Sequence, residues 1–230
     1  VATTDKVYEN KNWVYGYREN DQLGGYDPYS ASKAATEILI ASYRNSFMND
    51  LQMRVATARS GNVLGGGDWS EDRIIPDLFR SLQTKTPLLV RNPLATRPWQ
   101  HVLDPLAGYL LLGQNLLQKR PVSTAWNFGP NAEGNRTVAD LLNSAKSNWA
   151  ELHWQQDTNP QPHEASFLFL NTDKARTELH WQPVWPFERT VKETIAWYKA
   201  YLKNGSLITR EQLERYQQDA LAQGAIWCRN

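Results

Sequence analysis

Tyr29-Ser30-Ala31-Ser32-Lys33 puts a phenol and an ammonium four residues apart, a spacing that places both on one face of a helix. A cation beside a phenol favours its ionised form. The pair can then take a proton from a hydroxyl near neutral pH, and Lys33 keeps further donors for other hydroxyls. The Y-x-x-x-K spacing also recurs by chance, so a surface Tyr beside a solvated Lys is the plain alternative. Three features favour the chemical reading: Pro28 directly before the Tyr, small residues in the gap, and a long helical segment after it. A second polar cluster, Thr3-Thr4-Asp5-Lys6, closes a short β-prone entry at Val1. Strand ends of open α/β sheets face the ligand crevice.

The supporting elements follow from periodicity and breakers. Residues 10–28 read as loop, and 30–49 as a helix with Ala34, Ile38, Ala41 and Phe47 on its apolar positions. Residues 53–59 form a buried strand and 60–69 a glycine-rich loop. A helix over 72–83 and a short strand over 88–90 follow. Another helix spans 104–118, with Leu106, Leu110, Leu111 and Leu117 as its apolar face. Residues 126–129 read as strand and turn. Thr137, three residues before Asp140, caps a helix reaching 149. Short helical starts appear at Thr172 and Pro186, the second running to about 203, and a polar helix covers 209–223. Its Glu211, Glu214, Arg215 and Asp219 suggest a solvated or partner-facing surface. Strands separated by helices give an α/β layer architecture. The stretch 131–185, rich in Trp, His, Asn and Pro, suggests a smaller lobe.

Composition narrows the function classes. A 41% hydrophobic and 21% charged chain is ordinary for a globular protein, and a net charge of +1 argues against a broad grip on nucleic acid. Ten Trp and ten Tyr suit either flat, polar-edged ligands or an aromatic core. One cysteine excludes internal disulfides and cysteine-based zinc sites, and fits a reducing cytoplasm. His101, His163 and His180 lack metal-ligand spacing, so no metal is expected. No apolar run approaches the roughly 18 residues of a membrane span, and no signal segment is visible. Gly65-Gly66-Gly67 is the sole glycine cluster, and it lacks the spacing of a dinucleotide fingerprint.

Proline-Tyr-Ser-Ala-Ser-Lys at 28–33, preceded by Thr3-Thr4-Asp5-Lys6-Val7-Tyr8, resembles the catalytic region of the extended short-chain dehydrogenase/reductases. Within them it is similar to the nucleotide-sugar 4,6-dehydratases. Lys6, where that family usually has Glu, is similar to its CDP-glucose branch. So are Gly61-Asn62-Val63-Leu64-Gly65-Gly66-Gly67-Asp68-Trp69, Arg97-Pro98-Trp99-Gln100-His101-Val102, Trp126-Asn127-Phe128-Gly129-Pro130 and Pro162-His163-Glu164-Ala165. The motifs run to about residue 200. The family's N-terminal glycine-rich cofactor part has no counterpart here, so the chain resembles the C-terminal three-fifths of such a protein.

The resemblance implies the C-terminal part of a Rossmann-like doubly wound parallel sheet plus a smaller α/β lobe. Residues 1–60 would be the remainder of the dinucleotide domain, 61–205 mainly the nucleotide-sugar lobe, and 206–230 a helical tail. It also implies dehydration of CDP-glucose by internal redox with NAD kept bound, in the service of deoxysugar and O-antigen lipopolysaccharide synthesis. Tyr29 would take the proton of the C4 hydroxyl, and Asp5 would be the acid at C6. Thr4 would hydrogen-bond the 4-hydroxyl, although a turn cap is the alternative. Lys6 stays open between base and electrostatic support. Tyr29, Lys33 and Thr3 would contact the cofactor. Arg97 leads the substrate-binding candidates, followed by Asn62, Arg73, Arg91, His101 and Glu164. Trp69 or Trp99 could wall the pocket or simply pack. A homodimer built on the helices over 30–49 and 104–118 is expected, without membrane or nucleic-acid partners. Two rival readings remain: a nucleotide-sugar 4-epimerase, reductase or dTDP/GDP dehydratase, and a non-catalytic sugar-nucleotide-binding module.

Overall fold

The computed structural model describes residues 1–48, 53–159, 167–225 and 227. Its centre is parallel. Strand β1 (Thr57–Ser60) pairs with β6 (Ala125–Phe128), and Ala2 bridges Ala58 on the other side of β1. Parallel neighbours need a crossover. Helix α1 (Pro28–Tyr43) supplies the one from Ala2 to β1. The entry expected as a strand over 1–4 is only this bridge, held by Thr3 N–H to Ala58 O (2.8 Å) and Ala58 N–H to Val1 O (2.9 Å). It then tightens into a 3₁₀ turn, Asp5–Val7.

Helix α1 starts two residues earlier than periodicity suggests. Asp27 is its N-cap, accepting from the Ser30 N–H (3.0 Å) and hydroxyl (2.6 Å), with Pro28 at the first turn. A π-helical segment, Arg44–Met48, continues it. Strand β1 is shorter than the expected 53–59.

The motifs quoted at 61–69, 97–102 and 126–130 meet in space, while the one at 162–165 lies outside the described residues. Strand β2 (Val63–Leu64), inside the expected glycine loop, runs parallel to β5 (Gln100–His101). Gln100 Nε2 donates to Phe128 O of β6 at 3.0 Å. Strand β4 (Thr96–Pro98) is antiparallel to β7 (Asn135–Thr137), and β3 (Leu88–Val90) is parallel to β8 (Trp154–Gln156).

Helix α2 (Ile74–Thr84), α4 (Val138–Asn148) and α6 (Phe187–Asn204) enclose one core around Phe79, Leu141, Trp149, Val191 and Tyr198. Thr137 and Asp140 form a reciprocal capping box on α4, as the spacing predicts. Helix α3 (Leu103–Leu117) and α5 (Asp173–Glu178) cover β1 and β6 around Trp126, Phe128 and Trp181. The four leucines read as one face of α3 divide: Leu111 is buried, while Leu106, Leu110 and Leu117 are exposed.

Helix α7 (Thr209–Ala222) is docked on the body. Tyr216 donates to Asp104 (2.8 Å), and Gln212 and Arg215 donate to Glu193 (3.1 and 2.8 Å). Gln212, Tyr216 and Ala220 form its buried face, while Glu211 and Glu214, read as part of a solvated or partner-facing surface, are exposed. No helix among the described residues is long and apolar enough to cross a membrane.

Candidate active site

The turn that ends the first strand carries Thr4, Asp5 and Lys6, and it packs against α1. Thr4 does two jobs. Its hydroxyl caps the turn by accepting from Lys6 N–H (3.3 Å), and it donates to Asp5 Oδ1 (3.1 Å). The capping alternative and a polar role thus coexist in one side chain.

Asp5 is 3% exposed. Burial raises its pKa to about 6, against the opposing pull of the Thr4 hydrogen bond and the charges of Lys6 and Arg97. Its Oδ2 has no hydrogen-bond partner among the described residues. A buried carboxyl in this state can hold a proton and deliver it, the requirement for a general acid. Lys6 is exposed, and its charge acts on both Asp5 and Asp27, the cap of the helix that bears Tyr29.

Tyr29 is 49% exposed and Lys33 half-buried. The Lys33 ammonium lies 5.9 Å from the centre of the Tyr29 ring, so the helical spacing brings them together as expected. Among the described residues neither the Tyr29 hydroxyl nor the Lys33 ammonium makes a hydrogen bond or ion pair. The Thr3 hydroxyl instead donates to Glu37 at 2.5 Å.

The other candidates are dispersed. Arg97 is buried, donates to Thr96 O (2.9 Å) and acts on Asp5 through its charge. Asn62 is half-buried, one residue beyond Gly61, where an added Cβ would run into the Asp5 carboxyl. Arg73 and Arg91 are exposed. His101 is 2% exposed, set edge-on to Trp185 at 4.6 Å, and burial lowers its pKa to about 4. Those are the surroundings of a packed neutral imidazole. Trp99 is likewise buried and donates to Arg136 O (3.0 Å), while Trp69 packs on Tyr198 and Tyr201. Glu164 lies outside the described residues. Among those described, no group of three His, Cys, Asp or Glu is placed to hold a metal ion.

Sequence reasoning passed over Asp27 and Tyr109, and quoted Gly61 only as part of a motif. Asp-Pro before the Tyr is a helix-start signal that was open to it. Tyr109, which donates to Ser60 at 2.6 Å and feels the charge of Asp5, carries no local signal.

Residues 1–194 match the family model described as GDP-mannose 4,6 dehydratase. The chain belongs to that family. It is 41% identical over 213 residues to the CDP-glucose 4,6-dehydratase of Salmonella typhimurium, covering 90% of this chain and 59% of the Salmonella protein. The chain thus spans about three-fifths of the length of that relative. Among solved structures, dTDP-glucose 4,6-dehydratase of Bacillus anthracis with NAD superposes with a TM-score of 0.68 at 23% identity, over 86% of this chain and 60% of the other. UDP-glucose 4-epimerase of Thermotoga maritima with UDP-glucose gives 0.73 at 19% identity, over 88% and 63%. These likenesses show the Rossmann-type fold. The expected doubly wound α/β class is therefore the class of this dehydratase family member, and the β1–β6 pair is part of its parallel sheet.

Proposed function

We propose that this dehydratase family member carries the catalytic half of a CDP-glucose 4,6-dehydratase, converting CDP-glucose to CDP-4-keto-6-deoxyglucose and water. One observation carries the reading: Asp5, buried beside Thr4 and raised to about 6, is a carboxyl fit to give up a proton near neutrality. Proton delivery to a leaving hydroxyl needs such a group. A 4-epimerase needs only the Tyr–Lys couple. The 41% identity to the Salmonella enzyme points to CDP-glucose as substrate.

NAD, when bound, supplies the hydride acceptor at C4 and the donor at C6. Tyr29 takes the C4 hydroxyl proton, and Lys33 supports the phenolate and a cofactor ribose. Thr4 orients the 4-hydroxyl and its ketone. Asp5 protonates the departing C6 hydroxyl, while Lys6 takes the C5 proton and returns it to C5 as hydride reaches C6, or stabilises the enolate while another base carries that proton. Arg97 is the first candidate for the diphosphate because its fork matches phosphate geometry, with Asn62, Arg73 and Arg91 as further donors.

Residues 61–205 would serve mainly as the sugar-nucleotide lobe. A homodimer is supported by the exposed apolar residues of α1 (Ile38, Leu39, Tyr43) and α3 (Leu106, Leu110, Leu117). A cytoplasmic setting suits a chain with one cysteine. The keto-sugar product would feed deoxysugar synthesis for lipopolysaccharide.

The test incubates the complete protein with NAD and, separately, CDP-, dTDP-, UDP- and GDP-glucose, followed by mass spectrometry. Loss of one water from CDP-glucose alone supports the reading. Loss from another nucleotide sugar, or a changed stereochemistry at constant mass, overturns it.

A further inference from the structure

Glu37 lies four residues beyond Lys33 and eight beyond Tyr29. The three share one stripe on α1 that rotates by only about 40° per step. Exposure falls along it, from 49% at Tyr29 through half-buried Lys33 to 4% at Glu37. The stripe therefore descends from the reacting groups into the interior.

At its foot every carboxylate oxygen is engaged. Oε1 accepts from the Thr3 hydroxyl (2.5 Å), and Oε2 accepts from the Thr57 hydroxyl (2.6 Å) and the Arg59 guanidinium (2.8 Å). Arg59 is 3% exposed, and its other terminal nitrogen donates to the Tyr8 phenol (2.8 Å) and to Glu19 O (3.1 Å). Tyr8 in turn donates to Asn127 Oδ1 on β6 at 2.7 Å. Burial alone would raise the pKa of Glu37, but Arg59 and the two hydroxyls outweigh it and hold the carboxyl below its ordinary range.

The rest of the inward face of α1 offers little. Its buried residues are Ser30, Ala34 and Glu37, and Ser30 is spent on the helix's own Asp27 cap. One alanine gives a smooth apolar contact that tolerates rotation. Charge-assisted hydrogen bonds are short and directional.

We propose that the Glu37–Arg59 pair is the positioning device of the catalytic helix. It sets the rotation of α1 about its axis, and so the placement of Tyr29 and Lys33 against the Thr3–Asp5 turn, which the Thr3 hydroxyl ties to the same carboxylate. Buried ion pairs add little net stability. Their use here is geometric. The proposal rests on the reading of Tyr29 and Lys33 as the catalytic couple.

The test uses the complete protein with NAD and CDP-glucose, comparing parent, Glu37→Gln, Tyr29→Phe and the double variant in single turnovers. Hydrogen exchange of the 28–43 amides is measured beside them. Misplacement of about 1 Å costs about 10²-fold. Glu37→Gln is expected to lose about that in kcat with KM little changed, and Glu37→Asp to recover part of it. In the Tyr29→Phe background Glu37→Gln should cost nothing further, because groups that act as a unit are not additive. The same loss in both backgrounds, or no loss in either, overturns the proposal. If Glu37→Gln does not fold, Glu37→Gln with Arg59→Met removes both charges and takes the same comparison. If the parent protein performs no dehydration, the catalytic reading fails and exchange alone decides. Faster exchange across 28–43 then supports positioning, and unchanged exchange overturns it.

Discussion

The Asp5 carboxyl occupies the space a side chain on Gly61 would need: a Cβ there would lie 2.8 Å from Asp5 Oδ2 and 2.5 Å from Pro98 Cγ. Neither neighbour is the far end of a long flexible chain. Gly61→Ala is therefore expected to displace the carboxyl and lower the rate of the proposed dehydration at least tenfold, toward the roughly 10²–10⁴ that a general acid contributes. Product formation by mass spectrometry, beside circular dichroism to show an intact fold, checks it. An unaffected rate removes the carboxyl's placement from the mechanism.

Asp5 also makes a pH signature. Its pKa is about 6 in the fold against 3.8 ordinarily, so the folded state binds the proton more tightly. Its contribution to stability is complete below about pH 4 and is lost as pH rises toward 6, amounting to about 3 kcal/mol. Asp5→Asn removes this penalty. Its melting temperature should exceed the parent's at pH 8 and equal it at pH 4, while dehydration falls by about 10² or more. Equal melting temperatures at both pH values would contradict the buried, proton-holding carboxyl.

Asp104 joins α3 to the C-terminal helix. Oδ1 accepts from Val184 N–H (2.6 Å) and from the Tyr216 hydroxyl (2.8 Å), and burial raises its pKa to about 7. Asp104→Asn can keep the accepting oxygen and should be tolerated. Asp104→Ala takes the acceptor from two buried donors and should cost about 2–6 kcal/mol, at about 1–3 for each unsatisfied group. Urea unfolding at pH 8 separates the two variants; equal stabilities would assign Asp104 no such role.

Gly66 explains the glycine cluster by packing. A Cβ there would lie 1.9 Å from Trp197 Cγ, so the turn after β2 rests directly on the indole of α6. Gly66→Ala should destabilise by about 1–3 kcal/mol, as overpacking does, and lower the melting temperature. A melting temperature equal to the parent's would show that the turn moves freely from α6.

Glu37→Ala leaves the buried Arg59 charge without its carboxylate. The expected loss is about 3–5 kcal/mol, read by urea unfolding. Replacing both residues with apolar ones should recover much of it. Failure to recover would place the cost in lost packing.

Sequence periodicity was enough for the α/β class and for the longer helices, because stripes at helical spacing and the Thr137–Asp140 cap are local signals. The Tyr29–Lys33 couple was legible for the same reason: four residues along a helix already place two side chains side by side. Strands β2, β4, β5, β7 and β8, of two or three residues each, are too short to show a period and exist through partners distant in the chain. Periodicity could not tell that Leu111 faces the core while Leu106, Leu110 and Leu117 do not, since both stripes of α3 are apolar. Nor could it dock α7, whose Tyr216 finds Asp104 across 112 residues. The proton affinity of Asp5 belongs wholly to the tertiary structure. The residue type allows an acid, but burial, the absent side chain of Gly61 and the charge of Arg97 make its surroundings, and they converge only when the chain folds.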